Sequence, residues 1–307
     1  MAEITAQLVK ELRDRTGAGM MECKSALKEA NGDLSEAEVV LRKKGIASAS
    51  KKSARTTKQG KIEAFVSQDA SLGVLVEVNC ESDFVARTDD FTELCRDLAA
   101  HIAEANPEVV RAADGAGAEL MSQKFVKDPA VTIEDVIKAR IAKLGENISI
   151  ARFARFASAG GRVESYIHSG AQLGVLVELS SSKADANGAS EFVDLGKDVA
   201  MQIAATDPQS IGRSDVPAHL VEKEKEIQKD RARQEGKPEK ILDKIIEGRM
   251  GKFYEEVCLL EQPFIKENSM KVEELIKSKA GAVGSVTIAR FVRFKVGDTQ
   301  AAEAAAE

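Results

Sequence analysis

An α+β protein is expected: a small N-terminal helical module, then a duplicated core of two α+β subdomains with small antiparallel sheets, the second carrying an inserted helical hairpin. Three observations carry this expectation. Residues 4–44 place apolar side chains at helical spacing with no strand-like alternation. The segment Gly73-Val74-Leu75-Val76-Glu77-Val78 recurs as Gly174-Val175-Leu176-Val177-Glu178-Leu179, an offset of 101 residues, and a repeat at fixed offset signals a repeated structural unit. Ile150-Ala151-Arg152-Phe153 returns as Ile288-Ala289-Arg290-Phe291 at an offset of 138, so each half ends in the same strand and the second half has gained length after Pro208.

In the first 45 residues, Ile4, Leu8 and Leu12 lie on a first helix that ends at Thr16-Gly17-Ala18-Gly19. A second helix runs from about Met20 to Ala30, and a third follows Asn31-Gly32-Asp33 with Leu34, Ala37, Val40 and Leu41. The two glycines sit between helices and not after a strand, so they serve a sharp turn rather than a phosphate or dinucleotide loop. Met20 and Met21 beside that turn are either core filler or an adaptable binding surface.

Residues 46–60 read as a mobile basic linker, because the wider stretch 42–61 holds Arg42, Lys43, Lys44, Lys51, Lys52, Arg55, Lys58 and Lys61 and no acid. It is a solvated connector or a contact for acidic protein or RNA, without the aromatics that stack on bases. The first subdomain, 61–157, opens with a hairpin of strands 62–67 and 72–79. That second strand runs into Ser82-Asp83-Phe84-Val85, an acid beside an aromatic at a strand exit. Asp90-Phe91-Thr92-Glu93 then resembles a helix start with a capping carboxylate, and Phe91, Leu94, Cys95, Leu98 and Ile102 form a buried stripe. A helix over 133–144 and a strand over 147–156 complete the unit.

The second subdomain, 158–297, keeps the 101-residue offset through Tyr166, Phe192, Asp198 and Pro208. Where the first copy has Ser82-Asp83-Phe84-Val85, the second has Lys183-Ala184-Asp185-Ala186. The fold therefore does not require the Asp83-Phe84 pair, and Phe84 reads as a probe aimed outward. Residues 217–257 form two charged helical stretches around Glu235-Gly236-Lys237-Pro238. The first stretch is too polar to be buried, while Ile241, Leu242, Ile245 and Ile246 line one side of the second, so a projecting hairpin packs on itself or pairs with a second copy. A helix over 271–279, the repeated strand and a short flexible Ala/Glu tail over 298–307 close the chain.

Composition narrows the function. Charged residues make up 31% and the net charge is −6, which argues against a dedicated nucleic-acid binder and for a soluble, cytoplasmic protein with no stable nucleic-acid complex. No apolar run approaches the roughly 20 residues of a membrane span. Cys23, Cys80, Cys95 and Cys258 lack metal-ligand spacing and disulfide density. His101, His168 and His219 have no neighbours that would complete a triad or a metal site, so no catalytic residue, no metal and no cofactor is expected.

Two segments then go further: Leu12-Arg13-Asp14-Arg15-Thr16-Gly17-Ala18-Gly19-Met20-Met21-Glu22-Cys23-Lys24-Ser25-Ala26-Leu27, and Glu77-Val78-Asn79-Cys80-Glu81-Ser82-Asp83-Phe84-Val85-Ala86-Arg87. Together they resemble the two signatures of the translation elongation factor Ts family, and the likeness covers essentially the whole chain. The resemblance implies guanine nucleotide exchange on elongation factor Tu, without covalent chemistry. It implies a ubiquitin-associated-like (UBA-like) helical domain whose Leu12, Met20 and Met21 contact the GTPase, and a hairpin of coiled-coil type. It also implies that Ser82-Asp83-Phe84-Val85 intrudes near the bound magnesium, with Phe84 as the wedge. Ser82 stands where the family usually has Thr, and the retained hydroxyl should still cap the turn. The residues after Gly297 leave no room for the C-terminal helix of some members.

Overall fold

The computed structural model describes residues 4–111, 118–183 and 185–299. The expected α+β organisation is present, and each element follows from what its segment buries. Helices α1 (Ala6–Thr16), α2 (Met20–Glu29) and α3 (Leu34–Lys52) form the N-terminal module around Val9, Leu12, Cys23, Ala26 and Leu27. Gly17 ends α1 in the left-handed region, at φ 67°, where its N–H donates to the Arg13 carbonyl at 2.7 Å.

The stretch that reads as a mobile linker departs from that reading. Helix α3 continues to Lys52, so residues 46–52 are helical and only the residues after Ser53 connect. Its second half lies on the first subdomain: Ala49 is buried in that subdomain's core, and a Cβ at Gly45 would sit 3.0 Å from the Ala142 Cβ. Small residues along α3 let the two helices approach, and burial offsets the repulsion within the basic run.

The first subdomain contains β1 (Gln59–Val66), β2 (Leu72–Cys80), the short helix α4 (Asp83–Ala86), α5 (Asp89–Ala105), the small hairpin β3 (Lys124–Phe125) and β4 (Asp128–Thr132), α6 (Ile133–Leu144) and β5 (Ile148–Ala157). The antiparallel sheet has the order β1-β2-β5, and α5 packs on β1 and β2. The cap of α5 differs from the expected one. Thr88 Oγ accepts from the Phe91 N–H at 3.3 Å, while Asp90 and Glu93 turn away to Arg140, at 3.0 and 2.9 Å, and Asp90 also takes Lys143 at 2.6 Å. The Thr88 hydroxyl is placed to cap, whereas the carboxylates have cations of α6 within reach.

The second subdomain repeats this plan with β6 (Arg162–Ile167), β7 (Leu173–Ser181), α7 (Ser190–Thr206), the hairpin helices α8 (Ala218–Gln234) and α9 (Leu242–Val257), β8 (Pro263–Phe264), β9 (Glu267–Lys271), α10 (Val272–Val283) and β10 (Val286–Lys295). Its sheet has the order β6-β7-β10. The register of β5 on β2 shifts after the Glu77–Arg152 pair, and that of β10 on β7 shifts at the same point, between Ile288 and Arg290. The repeated Ile-Ala-Arg-Phe is thus a repeated bulge as well as a repeated strand.

The two sheets meet through Ile62, Leu75, Phe156, Val163, Leu176 and Phe294, all buried. The repeated Gly73 and Gly174 lie at this contact: a Cβ at Gly73 would fall 2.4 Å from Val163 Cγ1, and one at Gly174 would fall 2.5 Å from Ile62 Cγ2. At the rim, Arg152 stacks on Phe294 and Arg290 stacks on Phe156, each ring centroid 4.3 Å from the guanidinium carbon. Each arginine also pairs with a glutamate of its own sheet, Glu77 or Glu178.

Helices α8 and α9 pack on each other. Leu242 and Met250 are buried and Ile245 and Ile246 are half-buried, but Ile241, expected on that stripe, is exposed. It belongs to the single turn Glu239–Ile241 before α9 begins, which rotates it off the packed face. Of the tail, residues 300–307 lie outside the described residues, as does Ala184. Among the described residues no helix is long and apolar enough to cross a membrane.

Candidate functional site

Strand β2, central in the first sheet, is buried along nearly its whole length and delivers the chain to Glu81 and Ser82 at its C-terminal end. Ser82 is the N-cap of α4: its Oγ accepts from the Val85 N–H at 3.3 Å, so serine caps the turn as expected. Val85 packs against the first core and Ala86 is buried. Phe84, on the opposite side, is 80% exposed. The Asp83 carboxylate pairs with Arg87 at 3.0 Å. An aromatic this exposed gains nothing from its own fold, whereas Phe91 and Phe192 are fully buried.

The turn is held from outside. The Ser82 N–H donates to Glu146 Oε2 at 2.9 Å, and its hydroxyl donates to Glu146 Oε1 at 2.5 Å. Glu81 returns the interaction, its Oε1 accepting from the Asn147 N–H at 2.6 Å. Asn147 Nδ2 donates onward to the carbonyls of Ser53 and Arg55, at 3.2 and 2.7 Å, where the chain leaves α3. Nothing in the one-letter pattern pairs residues 81–82 with 146–147, and the one signal the sequence carries is two polar residues following Gly145 between a helix and a strand.

In the helical module the structure separates the three residues singled out there. Met20 and Met21 are 59% and 77% exposed at the start of α2, which removes the core-filler alternative. Leu12, by contrast, is fully buried in the module's core and offers no surface for the direct contact that the resemblance implies for it. Beside the Phe84 turn, Lys61, Asp83 and Arg87 of the first subdomain and His168, Ala171 and Gln172 of the second line a groove of about 900 Å³. The module's methionines, the groove and Phe84 are places where apolar or concave surface is offered outward.

The cysteines and His101 occupy structural places. All four cysteines are buried. Burial and the neighbouring Glu146 charge push the Cys80 thiol up to about 12, and burial pushes Cys258 up to about 11, so neither supplies thiolate at neutral pH. His101 lies between Gln123 and the Val126 N–H, a structural role. Among the described residues no group of three or more His, Cys, Asp or Glu is placed to hold a metal ion.

Comparison with known proteins bears on the same residues. The family described as Elongation factor TS matches residues 81–298, beginning at the Phe84 turn and including both sheets' closing strands. Elongation factor Ts of Trichlorobacter lovleyi is 44% identical over 296 residues, covering 96% of this chain and 93% of the relative. The Clostridium kluyveri protein of that name is 44% identical over 297 residues, again covering 96% and 93%. That of Aquifex aeolicus is 43% identical over 294 residues, covering 96% and 98%. With a family match over most of its length, relatives aligned nearly end to end and the Phe84 turn inside the matched region, the chain belongs to the elongation factor Ts family.

Proposed function

We propose that this protein is a guanine nucleotide exchange factor for elongation factor Tu, and that Phe84 is the wedge by which it loosens bound GDP. The observation that carries the reading is an 80% exposed aromatic on a clamped turn, at a position where the second copy of the unit has Asp185. A GTPase grips its diphosphate through phosphate-loop donors and a magnesium ion that neutralises phosphate charge. A side chain that displaces the surroundings of that ion weakens the grip without making or breaking a covalent bond. Asp83, tied to Arg87, keeps the turn's acid beside the aromatic, and Val85 roots the turn in the core.

Mounting matters because ordering a mobile loop on binding costs free energy, and a turn already held does not incur that cost. Met20 and Met21 supply a second contact, soft and polarizable, on a separate module. Reciprocity follows from linkage: the factor by which this protein weakens GDP binding is the factor by which GDP weakens binding of this protein. A ternary complex of GTPase, nucleotide and factor is then the short-lived intermediate of exchange.

The test is stopped-flow release of a fluorescent GDP from elongation factor Tu at saturating factor. Native protein accelerates release, and Phe84→Ala reduces the acceleration by roughly thirtyfold, the loss of an interface aromatic worth about 2 kcal/mol. Because Phe84 is exposed, the variant keeps native stability. Equal acceleration by both proteins removes Phe84 from the role. No acceleration by either removes the exchange reading itself.

A further inference from the structure

We propose that Glu146 is the positioning residue of the Phe84 turn, acting through Ser82, and that Glu81 and Asn147 complete a reciprocal clasp between two chain turns. The functional half of this inference rests on the exchange reading above. Helix α4 has four residues, fewer than a self-supporting helix needs. Its own backbone bonds are long, with Ala86 N–H to the Ser82 carbonyl and Arg87 N–H to the Phe84 carbonyl both at 3.3 Å. The direction of Phe84 therefore depends on what holds residue 82, at the start of the turn, together with Val85 and Ala86 packed in the core at its end.

Glu146 holds it twice. One carboxylate oxygen takes the Ser82 backbone N–H at 2.9 Å and the other takes its hydroxyl proton at 2.5 Å. A serine hydroxyl has one proton; with that proton committed to Glu146, the oxygen's lone pairs are left for the Val85 N–H. Hydrogen bonds to a charged acceptor are also the stronger kind. The Glu81 bond to the Asn147 N–H runs the opposite way, and Asn147 fastens the pair to the exit of α3 through Ser53 and Arg55. The clasp thus joins the wedge, the α6–β5 turn and the chain leaving the helical module.

The second unit serves as an internal comparison. Ser182 stands where Glu81 stands, at the offset of 101, and Ser285 stands where Asn147 stands, at the strand offset of 138; the connection after α10 is one residue shorter and has no carboxylate in the place of Glu146. There the Ser182 N–H donates to the Ser285 carbonyl at 2.9 Å and the Ser285 N–H donates to Ser182 Oγ at 2.9 Å. Backbone and hydroxyl groups suffice to close that joint. The two carboxylates occur only in the unit whose turn carries an exposed aromatic.

The experiment uses the full chain as native protein, Glu146→Ala, Glu146→Gln, Phe84→Ala and the Phe84→Ala/Glu146→Ala double variant. Amide hydrogen exchange reads the clasp, and GDP release from elongation factor Tu at saturating factor reads its consequence. Glu146→Ala is expected to speed exchange at Ser82 and Val85 by about tenfold or more, with β2 amides still protected, and to lower the release rate by about tenfold. Glu146→Gln recovers part of both, since its amide oxygen accepts one of the two bonds. In the Phe84→Ala background the Glu146 change adds nothing, because its effect passes through Phe84. Unchanged exchange at Ser82, or an equal further loss in the Phe84→Ala background, overturns the proposal. If native protein does not accelerate release, the exchange reading fails and takes the functional half with it, while hydrogen exchange still decides the clasp.

Discussion

Asp83-Phe84 stands out in the sequence alone because the chain contains a second copy of the unit that omits the pair, and the exposure of Phe84 agrees with that contrast. His101 is the opposite case. A lone histidine beside an apolar stripe is expected to be structural, and its partners explain why. Nδ1 accepts from the Val126 N–H at 3.3 Å, which places the proton on Nε2, donating to Gln123 Oε1 at 3.0 Å. The second unit has Gln202 in its place, with Nε2 donating to Gln262 Oε1 and Oε1 accepting from the Ile265 N–H. Burial holds the His101 pKa below its ordinary 6.5, with Gln123 and Glu104 opposing more weakly. The unfolded chain therefore binds the proton first as pH falls. Stability contributed by neutral His101 is complete above about 6.5 and is lost as pH drops from there toward the lower folded-state value. Thermal unfolding of His101→Gln should match native protein near pH 7.5 and lose less stability by pH 5; an unchanged pH slope would show that His101 is not its source.

Long periodic segments are readable from sequence: the helix expected over 133–144 is α6 residue for residue, and the strand expected over 147–156 is β5 with each end moved by one residue. The departures have physical causes. The third helix reads too short because a basic run with small residues resembles a tether in isolation, and only the surface of α6 makes it worth burying. The two small hairpins, β3 with β4 and β8 with β9, escape a sequence reading since strands of two and five residues carry too little alternation to register. The repeated Gly73 and Gly174 are visible as letters, but their reason is the approach of the opposite sheet. Gly73→Ala would bring its Cβ within 2.4 Å of Val163 and 2.8 Å of Leu176, neither able to retreat from a filled contact. Overpacking of this kind costs about 1–3 kcal/mol. Urea titration should show a lower midpoint at nearly constant slope, and Gly174→Ala should cost a similar amount; a neutral result would mean that the sheets can part without penalty.

Duplication supplies the architecture, two sheets back to back with a helix pair on each, while the N-terminal module places a second exposed apolar site on α2. These two sites divide the work in a way that kinetics can separate. Met20 and Met21 lie on a separate module from the Phe84 turn, and on the proposed reading their contacts are expected to be made equally before and after nucleotide leaves. Uniform binding of that kind raises affinity without changing the rate within the complex. Phe84 is expected to engage only as the nucleotide's grip loosens, and so contributes to the rate itself. Substituting both methionines by serine removes apolar contact and leaves Leu12 and the module's core intact. The factor concentration giving half-maximal GDP release from elongation factor Tu should then rise by roughly tenfold or more, an interface loss of at least about 1.4 kcal/mol, with the plateau rate unchanged. Phe84→Ala should instead lower the plateau. A fall in plateau for the methionine variant would mean that the module takes part in release and does not merely hold the partner in place.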